Sequence, residues 1–377
     1  MARISLILLV APTLFLISCA SKRPASGALV SHGVPENAAG VESILVATTR
    51  EPTLEPGTFF TGERNDTISF AQLDISIPSG HKSGQIELPK RRRDIHPDRH
   101  FAVADGGFVP TEEQFRQNLK DAIRDSESGE VGLFIHGYNT HFSESVFFLA
   151  QLAHDTEYAG VPLLFTWPSR GQLLDYPYDL DSVMTARDWL EHTIRLAKES
   201  GAKKITILAH SMGTMLTMET LRQVAIKGDP SFGGTIDGVL LASPDISIDT
   251  FKSQMRRIGG KVPIAVMISK DDKALSFSEW LAGDVERVGN YSDNEELAEL
   301  GVAVIDLTDV DSKEKAHHAK FAENPNLINL AAQQLEAGSA LPESNINQTE
   351  LLISEGRKTA SVIITAPGRF INSILGR

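Results

Sequence analysis

Residues 204–224, KITILAHSMGTMLTMETLRQV, leave this chain little freedom in what it can fold into. Ile205, Ile207 and Leu208 form a short apolar run with β-branched residues, and Met215, Met218, Leu221 and Ala225 recur at helical spacing. The change of period predicts a buried strand feeding a helix, joined at Ala209-His210-Ser211-Met212-Gly213. Such a turn is so tight that the positions two before and two after the serine must be small, or strand and helix collide. Strain in the turn lifts the serine hydroxyl clear of the sheet, and the helix start beneath it offers unpaired N–H groups and a positive dipole end. The pattern is G-x-S-x-G with Ala209 in place of the first glycine. A plain strand–turn–helix with a capping serine would also satisfy those five residues, so the rest of the chain has to decide.

The rest of the chain repeats the same alternation. Apolar runs at Val131–His136, Val161–Trp167, Thr235–Leu241, Val262–Ile268 and Val302–Leu307 read as buried strands, and helical patterns lie between most of them. Ser43–Thr49 and the alternating stretch Thr67–Ile77 read as strands at the start, and Gly80–Gly107 reads as polar, basic and irregular. The fold expected is α/β: one domain with a mainly parallel central sheet and helices on both faces. No fixed-period repeat is visible. The expected boundaries are a leader at 1–18, a flexible tether at 19–42, the domain at 43–338, and a tail at 339–377 that carries the makings of an amphipathic helix.

Ligands of an open α/β sheet bind beyond the carboxyl ends of its strands, so the polar residues there are the candidates. Ser211 needs a histidine base, because a free hydroxyl is a poor nucleophile at neutral pH, and the histidine needs an acceptor behind it. Among the 11 histidines, His317 and His318 follow the final strand on a loop. Asp271 and Asp272 end the penultimate strand, and Asp245 ends the one before it. The order serine, acid, histidine is that of Ser-Asp-His hydrolases on α/β sheets. An aspartate at a strand end is also the ordinary helix cap. For the oxyanion, the natural donors are the backbone N–H of Met212 and that of Tyr138 in the His136-Gly137-Tyr138-Asn139 turn, where Gly137 lets the backbone come close.

The stretches ATTR (47–50), FIHGYNTHF (134–142), AQLAHD (150–155), FTWPSRG (165–171), LAHSMG (208–213) and ASPDI (242–246) resemble the esterase/lipase-type α/β-hydrolase superfamily, and more narrowly a poorly characterised bacterial branch of it, over about residues 44–337. The resemblance implies the fold, a triad and a serine hydrolase mechanism, and it supplies no substrate. The reaction expected is hydrolysis of a small-molecule carboxylic ester with no cofactor; the alternative is a non-catalytic envelope binding module on the same scaffold. His318-Ala319-Lys320-Phe321 resembles the histidine-x-x-aromatic stretch after the last strand of such proteins, which favours His318 over His317, with Asp272 as its acid. Tyr176, Tyr178 and Trp167 are candidates for the pocket, with core packing the alternative for Trp167, and segments 175–181 and 250–260 are candidates for its border.

The opening residues MARISLILLVAPTLFLIS carry one positive charge at Arg3 and then an apolar run, the pattern of a secretory signal. Leu16-Ile17-Ser18-Cys19 resembles a bacterial lipobox, which implies a lipidated Cys19. Ala20 and Ser21 after it imply the outer membrane, facing the periplasm, within the cell envelope. As the single cysteine, Cys19 also rules out an intramolecular disulfide. A net charge of −13 argues against nucleic-acid binding, and Lys90–Arg93 reads as a solvated loop. The spacings of helical metal motifs are absent, so no metal is expected.

Overall fold

Val, Ile, Leu and Phe dominate the runs that become strands, and the side chains of each run divide between two cores. The computed structural model of the protein describes residues 23–89, 95–324, 326–330, 346–355 and 358–367. The chain begins with β1 (Gly40–Pro52), β2 (Phe60–Ile77), β3 (Ala102–Val109) and α1 (Glu112–Asp125). There follow β4 (Val131–Ile135), α2 (Phe142–Asp155), β5 (Val161–Thr166), α3 (Tyr176–Glu199), β6 (Ile205–His210) and α4 (Met212–Ile226). Next come β7 (Ile236–Ala242), α5 (Ile248–Ile258), β8 (Ile264–Ile268), α6 (Lys273–Leu281), α7 (Asn294–Glu299) and β9 (Ala303–Asp306). A short α8 (Lys320–Glu323) precedes β10 (Ile346–Glu355) and β11 (Lys358–Pro367).

One sheet holds all these strands in the order β10-β11-β9-β8-β7-β6-β4-β5-β1-β2-β3. From β9 to β1 every pairing is parallel; β2 and β3 extend one edge antiparallel and the β10–β11 hairpin extends the other. Strand periodicity fills both faces. Leu133 and Ile135 of β4 face a core with α1, α3, α4 and α5, whereas Phe134 between them faces a core with α2 and α8. Each such fully buried side chain contributes about 1.5–3 kcal/mol through removal from water.

The sheet order positions the site. The chain runs from β4 to β5 on one side, then crosses back to β6 on the other side of β4. The helices after β4 and β6, α2 and α4, accordingly lie on opposite faces. The loops that lead into them diverge, and a crevice opens at the carboxyl ends of β4 and β6.

Three expectations need correction. The stretch 80–107 is not irregular throughout, because β3 begins at Ala102 and pairs with β2; Gly106 and Gly107 hide its alternation. The tether expected over 19–42 is packed from residue 23 onward. Ala28 and Leu29 are buried, Arg23 bonds to the Asn139 carbonyl, and β1 already starts at Gly40. In the tail, where an amphipathic helix was one reading, the described residues instead form the β10–β11 hairpin, whose Val362, Ile364 and Ala366 point inward at period two. Residues 1–22 with Cys19, the Lys90–Arg93 run, and Phe370, Ile371, Ile374 and Leu375 lie outside the described residues.

Candidate active site

Ser211 occupies the turn between β6 and α4 with φ +51° and ψ −125°, a conformation that a side-chain-bearing residue adopts only under constraint. The constraint is visible. Its N–H bonds to the Ala242 carbonyl at 2.9 Å, and its carbonyl accepts from Thr214 Oγ1 at 2.6 Å. Gly213 has to be a glycine, because a Cβ there would lie 2.3 Å from the His136 carbonyl oxygen. Met212 is the first residue of α4, so its N–H has no intrahelical acceptor.

On the other side of Ser211 is the loop after β4. A Cβ on Gly137 would come within 2.7 Å of Ser211 Cβ, so only a glycine lets this backbone lie so close to the serine. Tyr138 follows it, with its hydroxyl bonded to the carbonyls of Gln172 and Leu173.

Asp272 ends the β8 loop, and its two oxygens have separate partners. Oδ1 caps α6 by accepting the N–H groups of Ala274 at 2.9 Å and Leu275 at 3.0 Å, and Oδ2 lies 2.6 Å from His318 Nδ1. The cap and the histidine partner are thus one residue. A carboxylate only accepts, so the His318 proton sits on Nδ1 and Nε2 keeps its lone pair. The histidine loop is tied down by its backbone: Glu314 Oε2 accepts the N–H groups of His318 and Ala319, and Ser243 Oγ donates to the His318 carbonyl at 2.8 Å. Burial alone would lower the His318 pKa, but the charge and hydrogen bond of Asp272, with Glu314 and Asp245, outweigh it and raise it above the ordinary histidine value.

The neighbouring pair is built in the same way but points elsewhere. His317 Nδ1 lies 2.6 Å from Asp271 Oδ2, and the buried Lys320 donates to Asp271 Oδ1 at 2.7 Å. His317 has φ +59°, which turns the two successive imidazoles apart. Asp245 accepts from Tyr176 and Ser278 and forms an ion pair with Arg287, rather than bonding either of these histidines.

Ser211, His318 and Tyr138 line one cavity of about 1540 Å³, and His317, Asp271 and Asp272 are not among its lining residues. Its walls are largely apolar. Phe134, Phe148 and Phe321 form one side, with ring centroids 5.0 Å apart for the first pair and 6.0 Å for the second. Leu174, Phe277 and Trp280 line the cavity as well. Tyr176 lines the cavity as expected; Tyr178 does not, and lies under the guanidinium of Arg170 at 3.6 Å. Trp167 is core, stacked on His136. Of the two expected borders, 175–181 contributes Tyr176 alone, with Leu173 and Leu174 just before it, and 250–260 contributes nothing. Their place is taken by residues 84–88 and α6, neither of which carried a sequence signal for it. Among the described residues, no group of three or more His, Cys, Asp or Glu side chains is arranged to hold a metal ion.

A family model described as "Alpha/beta hydrolase of unknown function (DUF900)" matches residues 111–337. The chain belongs to this hydrolase family. The match starts just before α1, so β1–β3 and the cavity wall at 84–88 precede it. No curated protein matches. Among solved structures, "Crystal structure of a C6-C4 SN3 inhibited ESTERASE B from LACTOBACILLUS RHAMNOSIS" is similar at 9% identity and a TM-score of 0.33, over 80% of this chain and 88% of that one. So distant a likeness says nothing about this hydrolase's substrate.

Proposed function

We propose that this hydrolase is a serine esterase that cleaves carboxylic esters through an acyl-enzyme. The observation that carries the reading is the Asp272–His318 pair, with Nδ1 and Oδ2 2.6 Å apart and His318 lining the cavity that Ser211 also lines. His318 Nε2 takes the Ser211 proton as Oγ attacks the acyl carbonyl, and the charge develops on the former carbonyl oxygen. The N–H groups of Met212 and Tyr138 receive that charge. Collapse of the intermediate breaks the ester C–O bond, and His318 gives its proton to the leaving alkoxide. A water then repeats the sequence on the acyl-enzyme, losing its proton to His318 and releasing the carboxylic acid and the Ser211 hydroxyl. No cofactor takes part. The apolar walls suit a hydrophobic acyl or alcohol group.

The test is hydrolysis of a series of p-nitrophenyl esters by the protein and by Ser211→Ala. The expected result is loss of at least about 10³-fold in kcat. Equal turnover by the variant would remove the reading, and a folded wild-type protein that turns over no ester would point to a non-catalytic binding module. We also propose that the protein is tethered in the cell envelope through lipid on Cys19, at the outer membrane and facing the periplasm; the support is the lipobox pattern in the sequence. Cys19→Ala should abolish palmitate incorporation and membrane retention, and unchanged retention would refute the tether.

A further inference from the structure

Arg50 is buried near the carboxyl end of β1, beside the site but not lining the cavity. Burying a guanidinium is costly unless its donors are met, and it carries five N–H groups. Here all five are met. Nε donates to Thr166 Oγ1 at 2.7 Å, and Nη1 donates to the carbonyls of Ser169 at 2.8 Å and Thr61 at 3.1 Å. Nη2 donates to the Thr140 carbonyl at 2.8 Å and to His136 Nε2 at 3.3 Å. Burial pushes the Arg50 pKa down to about 10, against the opposing charges of Asp179 and Glu144, so the group stays cationic at neutral pH.

His136 passes this anchorage on. Its Nε2 also receives the Trp167 N–H at 3.2 Å and lies 2.9 Å from the Thr166 hydroxyl. An imidazole nitrogen that accepts from Arg50 and Trp167 carries no proton, so the proton is on Nδ1, which donates to the Gly137 carbonyl at 2.8 Å. Burial first, and the Arg50 charge second, hold the His136 pKa well below the ordinary range and keep the ring neutral. Trp167 stacks on the ring at 4.9 Å and donates its indole N–H to the His136 carbonyl at 2.9 Å, which fixes the plane.

The Gly137 carbonyl and the Tyr138 N–H belong to one trans peptide, and in a trans peptide the two point in opposite directions. Holding the carbonyl against His136 turns the Tyr138 N–H away from it. That N–H finds no acceptor among the described residues, and Gly137 lies directly against Ser211. Arg23 and Asp179 also grip this loop, but at Asn139 rather than at the 137–138 peptide.

We propose that Arg50 is a positioning residue for catalysis: through neutral His136 it sets the Gly137–Tyr138 peptide so that the Tyr138 N–H faces the oxyanion. This rests on the serine esterase reading above. It predicts an effect confined to the transition state, because the ground-state carbonyl makes little use of a donor aimed at the oxyanion.

The experiment compares the full-length protein with Arg50→Lys, Arg50→Met, His136→Leu, His136→Asn and Thr166→Val. It measures kcat and KM on p-nitrophenyl butyrate, affinity for a trifluoromethyl ketone that adds to the serine, and melting temperature. Arg50→Met and His136→Leu should lower kcat by about 10²–10³-fold, as for loss of one oxyanion donor, with KM changed less than about threefold. Ketone affinity should fall in parallel with kcat/KM. His136→Asn, whose amide can reach the Gly137 carbonyl, should recover most of the loss, and Thr166→Val should show a smaller fall of the same kind. Should the Arg50 variants not fold, the His136 and Thr166 variants decide. Folded variants with wild-type kcat, or with lowered kcat and undiminished ketone affinity, overturn the role of Arg50. Absence of turnover and of ketone binding in the wild type would instead overturn the esterase reading itself.

Discussion

Two aspartates and two histidines stand in tandem, and only the resemblance of His318-Ala319-Lys320-Phe321 to a family stretch favours one pair over the other in the sequence. Their geometry separates them: one pair presents an imidazole to the cavity, and the other ties the histidine loop to Lys320. The assignment of His318 can be checked by titration. A general base must be neutral, so activity is lost as pH falls through its pKa. With that pKa raised by Asp272, kcat/KM should fall on the acid side with an apparent pKa above about 6.5. Asp272→Asn should cost about 10²–10⁴-fold in kcat, because the asparagine favours the wrong tautomer. His317→Ala should leave kcat/KM within about threefold while lowering the melting temperature, since its ring holds Asp271 outside the cavity. A reversal of those two results would exchange the assignments. Ser211 and Gly137 were legible in the sequence because tight turns admit few residue types. Arg50 was overlooked inside ATTR: a charge at a strand end usually means solvent, and burial with all five donors paired is visible only when β5 and the β4 loop are placed around it.

At the level of elements, the parallel strands could be read because each is a short apolar run with a breaker after it. β3 and the β10–β11 hairpin could not, because glycines interrupt the alternation of the first, and charged residues and a run of three apolar residues obscure that of the second. The cavity wall at 84–88 carries no periodic signal either, since side-chain contacts hold it rather than a regular element. His81 is its fastening. Nδ1 lies 2.9 Å from Glu87 Oε2 and Nε2 2.9 Å from Asp155 Oδ1, while Asp155 Oδ2 accepts the Gly84 N–H. Burial pulls the His81 pKa down, but the bonds and charges of Glu87 and Asp155 outweigh it, and the net shift is upward. A raised folded-state pKa means this stabilisation is complete below the unfolded value of about 6.5 and is lost as pH rises through the folded value. The melting temperature of His81→Gln should therefore lie below that of the wild type near about pH 6, and the gap should close toward about pH 9. A gap independent of pH would mean that the two ion pairs contribute nothing.

For the molecule as a whole, the sheet order implied a crevice at the carboxyl ends of β4 and β6, and Ser211 and Gly137 meet there. The cavity itself was not legible, because its walls come from α2, α6, the histidine loop and a segment that precedes the matched family region. At about 1540 Å³ and largely apolar, it has room for more than a short acyl group. Within the esterase reading, kcat/KM should rise along an acyl-length series by up to about fourfold per methylene until the walls are reached, given about 0.8 kcal/mol for each buried CH₂. Leu88→Trp should move the preferred length downward and leave the shortest ester unaffected; a flat series would show that the acyl chain does not use these walls. The central claim, that Ser211 is a hydroxyl made nucleophilic by His318, has a more direct test. The protein is treated with a fluorophosphonate and the modified residue located by mass spectrometry, alongside Ser211→Ala and His318→Ala. The account predicts a single adduct on Ser211, absent from the first variant and slowed by at least about 10³-fold in the second. A folded wild-type protein that takes no label, or one labelled equally fast without His318, would contradict it.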